Sequence, residues 1–286
     1  MKHYHAGKSY EQYEMNLKRI LRQITPPIFF NFLKGDKEQQ NSDTLNWYGE
    51  FKTWEEAVSK ARGYDDEVIL HKVKSSMLKV QSGEAVYERD AALFDEVQYS
   101  WPLVSFLLKA ALENRGNLNV VDFGGSLGSS YFQNREILNI GDSLKWNIVE
   151  QKHFVDCGKA NFENESLKFY YDLETCLKEN TPDILLLSGV LQYLKDPYQW
   201  ISIFNKLKFK YLIIDRTAFV DSGEEIIKIQ QTTEAINYPV WFFNKQKFIS
   251  AFGNYEMLCE FQDYTTSPVY IDSKYCYWSG LIFSGS

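Results

Sequence analysis

A glycine-rich turn between a strand-like run and a helix-like run constrains this 286-residue chain more than any other feature. The run 118–123 is mostly apolar, and Gly124, Gly125 and Gly128 follow it directly. Glycine adopts backbone angles that other residues avoid, and it lets the main chain approach a ligand closely. A helix that begins directly after such a turn also offers unpaired N–H groups. The segment therefore predicts a ligand-binding turn at the carboxyl end of a strand.

Beyond residue 116, short β-rich runs alternate with helix-like stretches. Such alternation favours βαβ units, which place parallel strands in one sheet and helices on its faces. We therefore predict an α/β class, Rossmann-like domain over residues 116–286, with about seven mostly parallel strands and helices on both faces. The strand-like runs are 118–123, 145–150, 167–172, 183–188, 210–215, 255–262 and 275–284. Periodicity alone leaves the order of the strands open.

Residues 1–115 show a different pattern, and we predict that they form a mainly helical N-terminal cap region. The run 11–23 is charged and amphipathic. A capping box from Thr53 to Glu56 begins a further helix. Another helix is expected to open at residues 100–102, where proline stands in the first turn and no N–H is needed.

Composition excludes several classes of function. The net charge is −7, whereas nucleic-acid binding gains its affinity from clustered lysine and arginine, so we expect no nucleic-acid partner. The four cysteines and four histidines form no CxxC pair, HExxH motif or zinc spacing, and we expect reduced thiols and no metal. No apolar run reaches the roughly 20 residues of a membrane span, and no secretory signal is visible, so we expect a cytoplasmic protein. The oligomeric state stays open.

The spacing of the glycines bears on the choice of ligand. A dinucleotide fingerprint that starts at Gly124 would need glycine at positions 126 and 129, and both positions are serine. An acid, Glu150, ends the next strand-like run and could accept both hydrogen bonds of a ribose diol. Dehydrogenases use the same arrangement, so Glu150 favours a nucleoside without deciding between cofactors. The alternatives are a purely structural turn and a solvated acid at a strand end.

The segment Asp122-x-Gly124-x-Ser126-x-Gly128 resembles the first motif of class I S-adenosylmethionine-dependent methyltransferases, in which the central position is usually glycine. The run 182–197, PDILLLSGVLQYLKDP, resembles a later motif of the same class and delivers Ser188 to the carboxyl edge of the sheet. An acid such as Asp172 often meets the adenine amino group in that class. The resemblance implies S-adenosyl-L-methionine as cofactor, bound by Asp122, Gly124, Gly125, Gly128, Glu150, Gln151, Asp172 and Ser188.

A narrower resemblance rests on four runs, GEAVYERD at 83–90, DFGGSLG at 122–128, IVEQ at 148–151 and DRT at 215–217. Together they are similar to a family of bacterial proteins assigned as methyltransferases and encoded among surface-polysaccharide genes. The similarity covers roughly residues 47–245. It implies methyl transfer in a saccharide context. We expect a small-molecule or saccharide acceptor and predict O-methylation of a sugar or sugar-derived molecule.

Two acids are candidates for a general base, which a sugar hydroxyl would need. Asp215 ends a predicted strand at the ligand edge, although it could instead pair with Arg216. Glu88 lies in a charged run that could fold over the site as a lid, or it could be a solvated helix residue or a partner of Arg89. Tyr131 and Phe132 could face a sulfonium or belong to the core. The aromatic run 238–243 could line an acceptor cleft or be buried.

Three classes of function remain. The first is the methyltransferase. The second is an NAD-dependent sugar oxidoreductase, which the glycine spacing disfavours. The third is a non-catalytic nucleoside-binding protein that keeps the same fold. Cofactor binding distinguishes the first two, and turnover distinguishes the first from the third.

Overall fold

A computed structural model describes residues 46–61, 66–221, 223–231, 237–263 and 265–285. The amphipathic run 11–23 lies outside these ranges. In the described residues the chain forms helices α1 (Trp54–Lys60), α2 (Asp66–Ser82), α3 (Trp101–Glu113), α4 (Ser129–Leu138), α5 (Lys152–Asn161), α6 (Leu173–Glu179), α7 (Pro197–Phe204) and α8 (Lys245–Ser250). Short 3-10 helices cover Gly141–Ser143 and Leu191–Tyr193.

Most of the strands belong to one large sheet, and a separate two-stranded hairpin accompanies it. The strands are β1 (Asn46–Phe51), β2 (Tyr87–Arg89), β3 (Ala92–Phe94), β4 (Leu118–Phe123), β5 (Leu144–Val149), β6 (Leu167–Tyr170), β7 (Ile184–Ser188), β8 (Tyr211–Val220), β9 (Ile226–Gln231), β10 (Asn237–Asn244), β11 (Tyr255–Gln262), β12 (Val269–Ile271) and β13 (Lys274–Gly285). All seven predicted strand-like runs are strands, with ends that differ by a few residues.

The centre of the fold is a parallel sheet in the order β6-β5-β4-β7-β8. β13 pairs antiparallel with β8, and β11 pairs antiparallel with β13. Helices pack on both faces of this sheet. The predicted Rossmann-like α/β class, with about seven mostly parallel strands, is therefore confirmed.

The direction of winding reverses between β4 and β7. After β4, the chain adds β5 and β6 on one side, and it then returns to place β7 and β8 on the other side. Doubly wound sheets bind ligands outside the carboxyl ends of the strands at such a switch point. The glycine-rich turn follows β4, and Gly189 follows β7, so both lie at this position.

Alternate side chains of the central strands enter two separate cores. Leu186 faces a core that includes Phe132 of α4. Leu185 faces the opposite core, with Phe204 of α7 and Phe248 of α8. Each fully buried side chain of this size contributes about 1.5–3 kcal/mol. Burial on both faces explains why these strands are continuous apolar runs.

An extension beyond β8 and β13 enlarges the sheet to eleven strands in the described residues. β10 pairs parallel with the end of β8 and antiparallel with β9, and β9 pairs antiparallel with β1. The short β12 pairs antiparallel with β13. β9 and β10 were not predicted, because Lys228 and Gln230 interrupt the apolar pattern and Pro239 argues against a strand. Residues 46–115 hold α1, α2 and α3 together with β1, β2 and β3, and these three strands were not predicted. The domain boundary at residue 115 stays a prediction.

Two of the expected helix starts are observed. Thr53 accepts the N–H of Glu56 at 3.2 Å and so caps α1. The Glu56 carboxylate accepts the N–H of Lys52 at 3.0 Å rather than that of Thr53, so the capping box is only half formed. α3 carries Pro102 in its first turn. None of the helices in the described ranges is both long and apolar enough to cross a membrane.

Candidate ligand-binding and active site

The turn between β4 and α4 has a left-handed backbone at three of its positions. Gly124 has φ +75°, Ser126 has φ +54° and Gly128 has φ +98°. The N–H of Gly124 donates to the carbonyl of Val149 at 2.9 Å, which ties the turn to the end of β5. α4 then begins at Ser129, and no side chain caps it. The first turn of α4 therefore lies next to the switch point, where a helix N-terminus can offer N–H groups to a ligand.

Asp122 lies beneath this turn and is almost fully buried. Its Oδ2 accepts the indole N–H of Trp146 at 3.0 Å. Burial raises the pKa of Asp122 to about 7, and the nearby charge of Glu150 acts in the same direction. A Cβ on Gly125 would lie 2.6 Å from the Asp122 carboxyl carbon. Gly125 is therefore needed because the buried carboxyl group supports the turn from below.

Gly128 packs against the core beneath the turn. A Cβ on Gly128 would meet the side chains of Leu167 and Ile148, at 3.3 Å and 3.5 Å. The contact of Gly128 with the cofactor stays a prediction. The left-handed backbone of Gly128 explains the glycine, because only glycine adopts this conformation without strain.

Glu150 stands at the carboxyl end of β5, next to the turn, and is half-buried. Its Oε2 accepts the N–H of Gln151, and its own N–H donates to the carbonyl of Tyr170 at 3.1 Å. Gln151 is exposed and occupies the N-cap position of α5. The structure therefore places both residues beside the glycine turn, and their contact with a ribose stays a prediction.

Asp172 has a structural function that the sequence did not reveal. It caps α6, because its carboxylate accepts the N–H of Thr175 at 2.7 Å and the Thr175 hydroxyl at 2.9 Å. These hydrogen bonds lower the pKa of this exposed carboxyl group. Asp172 follows β6, the edge strand beyond β5. Its contact with adenine stays a prediction.

β7 and β8 bring a second group of polar residues to the same edge. Ser188 pairs in register with Asp215, and the N–H of Gly189 donates to the Asp215 carbonyl at 2.9 Å. Asp215 is 5% exposed, and burial raises its pKa to about 6. Asp263 acts in the same direction, whereas Arg216 opposes it. A buried carboxyl group with this pKa is ionised at neutral pH and can accept a proton.

The alternative ion pair between Asp215 and Arg216 is not what the structure contains. Asp215 accepts the backbone N–H of Arg216 at 3.1 Å, whereas the Arg216 guanidinium pairs with Asp90. Arg216 has φ +51°, and the pairing of β8 with β13 shifts register opposite it, near Gly280. This irregularity redirects the side chain, as β-bulges near functional sites commonly do.

A hairpin formed by β2 and β3 covers the start of α4. Glu88 of β2 is 2% exposed and accepts the hydroxyl of Ser129 and the N–H of Ala91, the latter at 2.6 Å. Burial raises the pKa of Glu88 to about 7, although both hydrogen bonds oppose this change. Glu88 is therefore neither a solvated helix residue nor a partner of Arg89, which donates to Gln98 at 2.8 Å.

The tip of the hairpin reaches the other half of the site. Asp90 and Ala91 both have positive φ and form the two-residue turn that strands of a tight hairpin need. The Asp90 carboxylate pairs with the Arg216 guanidinium at 2.9 Å. Sequence reasoning placed Arg216 within the DRT run but gave it no function of its own. Only the left-handed backbone at Arg216, which the sequence does not show, turns it towards the hairpin.

The aromatic candidates belong mainly to the core. Tyr131 and Phe132 are buried and pack edge-on against Trp146 and Phe162, respectively. In the run 238–243, the side chains of Val240, Phe242 and Phe243 are buried. Tyr238 is only half-buried and packs edge-on against the exposed Tyr193. Tyr238 of the run and Tyr193 outside it together present aromatic surface at this place.

The structure thus brings most of the predicted site residues to one edge of the sheet. These are Glu88, Asp122, the glycines of the turn, Glu150, Gln151, Ser188 and Asp215, whereas Asp172 lies one strand further out. In the described part of the chain, no cluster of three or more His, Cys, Asp or Glu residues is arranged to hold a metal ion. A shallow depression at the opposite edge, near Asn205 and Asn254, contains none of the predicted residues.

No protein family model matches the chain, and no curated protein sequence matches it. Among solved structures, the N-terminal domain of EvdMO1, crystallised in the presence of SAH and D-fucose, has a TM-score of 0.44 and 12% identity; the match covers 79% of this chain and 99% of that one. The 1,6-didemethyltoxoflavin-N1-methyltransferase of Burkholderia thailandensis has a TM-score of 0.41 and 12% identity, over 88% and 98% of the two chains.

A third solved structure is CalS10, an amino pentose methyltransferase from Micromonospora echinaspora. It has a TM-score of 0.40 and 9% identity, and the match covers 66% of this chain and 92% of that one. All three TM-scores lie below 0.5, so these likenesses carry no argument about function. The chain's own residues at the carboxyl edge of the sheet have to support any assignment.

Proposed function

We propose that this chain is an S-adenosylmethionine-dependent methyltransferase that methylates a hydroxyl oxygen of a sugar or sugar-derived acceptor. One observation carries the proposal. The turn from Gly124 to Gly128, with its left-handed backbone, lies at the switch point, and the acid Glu150 ends the adjacent strand. This arrangement fits a nucleoside whose ribose is held by a carboxylate and whose remaining atoms lie over the turn.

The residues present fit this cofactor better than a dinucleotide. Ser126 and Ser129 stand where a dinucleotide turn needs glycine, and Ser129 bonds Glu88 of the hairpin rather than leaving room for a pyrophosphate. Bound S-adenosylmethionine would supply an activated methyl group. The chain would then need to hold the cofactor at Glu150 and the turn, orient the acceptor, and exclude water.

Asp215 is the preferred proton acceptor. It stands on a strand of the rigid sheet, it is buried, and its pKa of about 6 leaves it ionised at neutral pH. Glu88 is less suited to this role, because both of its oxygens already accept hydrogen bonds within the protein. We assign Glu88 to positioning of the hairpin against α4.

The sugar acceptor rests on the resemblance to proteins encoded among polysaccharide genes and on the net charge of −7, which disfavours nucleic acid. Tyr193 and Tyr238 offer aromatic faces near this edge on which a sugar ring could pack. The acceptor is tested by incubating the protein with labelled cofactor and one candidate acceptor class at a time. The classes are nucleotide sugars, lipid-linked saccharides, small metabolites and RNA. Label that appears only in RNA or in a non-sugar metabolite would contradict the sugar assignment.

The role of Asp215 has its own test. Asp215→Asn should lower turnover about 10²–10⁴-fold, the usual contribution of general acid–base catalysis, and should leave cofactor affinity unchanged. Asp221→Asn is the matched control, since this exposed carboxylate follows the same strand. Full turnover in Asp215→Asn would remove this residue from the mechanism.

A further inference from the structure

Arg216 is held in an unusual backbone conformation at the carboxyl edge. Its φ of +51° is uncommon for a residue other than glycine, and such conformations persist only where the surroundings enforce them. Gln192, which is 2% exposed, donates its Nε2 to the Arg216 carbonyl at 3.0 Å. On the other side, Asp215 accepts the Arg216 N–H. Two buried polar side chains therefore fix the direction in which the arginine leaves the strand.

The guanidinium of Arg216 lies across Gly189 with much of its hydrogen-bonding capacity unused. Its side chain is 24% exposed. Nη1 donates to Asp90 at 2.9 Å and Nε donates to the Ser188 hydroxyl at 3.4 Å. A Cβ on Gly189 would lie 3.1 Å from Nη2, so the guanidinium packs directly over this glycine, whose φ is +64°. Of its five N–H donors, three have no protein partner in the described ranges.

The two partners of the ion pair between Arg216 and Asp90 differ in how deeply they are buried. Arg216 belongs to the sheet and is mostly buried, whereas Asp90 stands in a two-residue turn and its side chain is 74% exposed. An ion pair with one exposed partner contributes little to stability. A ligand carboxylate or phosphate can accept two parallel hydrogen bonds from a guanidinium, and it binds more strongly than a single contact does. Such a ligand can therefore displace Asp90 from Arg216.

We propose that Arg216 binds an anionic group of the methyl acceptor, a carboxylate or phosphate attached to a sugar, and that Asp90 is the internal counterion that this group replaces. The inference rests on the proposed function, because it names the substrate class of the same site. Asp215 and Asp263 also face Arg216 and reduce its net attraction for anions. Recognition therefore depends on the forked hydrogen bonds of the guanidinium more than on net charge.

Calorimetry of the 286-residue chain tests this inference, with glucose 1-phosphate, glucuronate and glucose as probes. Each titration is done with and without saturating S-adenosylhomocysteine. The first two separate phosphate from carboxylate as the source of the anion, and neutral glucose is the reference. We expect at least one of the two anions to bind the wild type more tightly than glucose does. Binding of glucose as tight as that of both anions, or no binding of either anion, would overturn the inference.

Three variants test which charged groups determine the affinity for the anion. Arg216→Lys keeps the positive charge but loses the two parallel N–H donors of the guanidinium. It should therefore weaken anion binding about tenfold or more. Asp90→Asn is compatible with the left-handed turn and removes the competing carboxylate, so it should tighten anion binding by about two- to fivefold. Asp95→Asn removes an exposed carboxylate nearby and should change nothing.

The inference is overturned if Arg216→Lys binds the anion as tightly as the wild type does. It is also overturned if Asp90→Asn binds the anion no more tightly than the wild type. If Arg216→Lys does not fold, the Asp90→Asn measurement alone decides. S-adenosylhomocysteine binding is read separately in every variant and should be unchanged. If the wild type does not bind S-adenosylhomocysteine, the proposed cofactor is wrong, and the anion titrations without it still decide the role of Arg216.

Discussion

Replacement of the buried Glu88 by glutamine should change how the stability of the protein depends on pH. Burial raises the pKa of Glu88 from 4.5 to about 7 in the folded chain. Between these values the folded protein keeps the proton that the unfolded chain has lost. Folding then takes up a proton, so the contribution of Glu88 to stability falls as pH rises from 4.5 to about 7 and is constant above that.

The size of this effect follows from the pKa change. At about 1.4 kcal/mol per pH unit, ionisation of Glu88 costs the folded state about 3 kcal/mol by pH 8. Glutamine carries no charge and avoids this cost. It also alters one of the hydrogen bonds to Ser129 and Ala91, at about 1 kcal/mol, and this loss does not depend on pH.

Urea unfolding at pH 4.5 and pH 8 measures the difference in unfolding free energy between Glu88→Gln and wild type. We expect this difference to shift by about 3 kcal/mol in favour of the variant between the two pH values. Glu96→Gln, an exposed glutamate in the segment after the hairpin, is the control and should show no such shift. A difference that stays the same at both pH values would refute the raised pKa of the buried Glu88.

Two further predictions concern the turn and the adjacent strand. Gly125→Ala should destabilise the protein by about 1–3 kcal/mol in urea unfolding, because the new Cβ would clash with the Asp122 carboxyl group. Gly253→Ala is the control and should be close to neutral, because its nearest neighbouring atom would lie 3.9 Å from the new Cβ. Glu150→Ala should weaken S-adenosylhomocysteine binding by about 1.5–3 kcal/mol with little change in Tm. The control variant Asp142→Ala, at an exposed carboxylate, should bind S-adenosylhomocysteine normally. A Glu150 variant that is less stable but binds normally would give Glu150 a structural role instead.

The central sheet could be predicted from sequence because its strands are buried on both faces. The run 184–187 is apolar at every position, and such runs separated by helical patterns indicate parallel strands. The extension could not be predicted in the same way. Lys228 of β9 is 3% exposed and pairs with Asp272 of a distant hairpin. A charged residue that is buried through a partner far along the chain breaks the apolar pattern on which strand prediction depends.

Part of the candidate site was predictable from chain order and strand ends. Glu150 follows β5 directly and Asp122 is the penultimate residue of β4, as the sequence predicts. Asp215 was predicted to end its strand, whereas β8 continues to Val220. The contact of Glu88 with Ser129 and that of Asp90 with Arg216 were not predictable. Both join residues that are far apart in sequence, and both depend on a tight hairpin with positive φ at Asp90 and Ala91, neither of which is glycine.

Isothermal titration of the purified 286-residue chain with S-adenosylhomocysteine and with NAD tests the central claim most directly. The turn at Gly124 to Gly128 beside Glu150 predicts saturable binding of S-adenosylhomocysteine, with a Kd in the range of about 1 μM, or ~8 kcal/mol of binding free energy, and no measurable binding of NAD. Binding of NAD at a similar concentration, without binding of S-adenosylhomocysteine, would contradict the account.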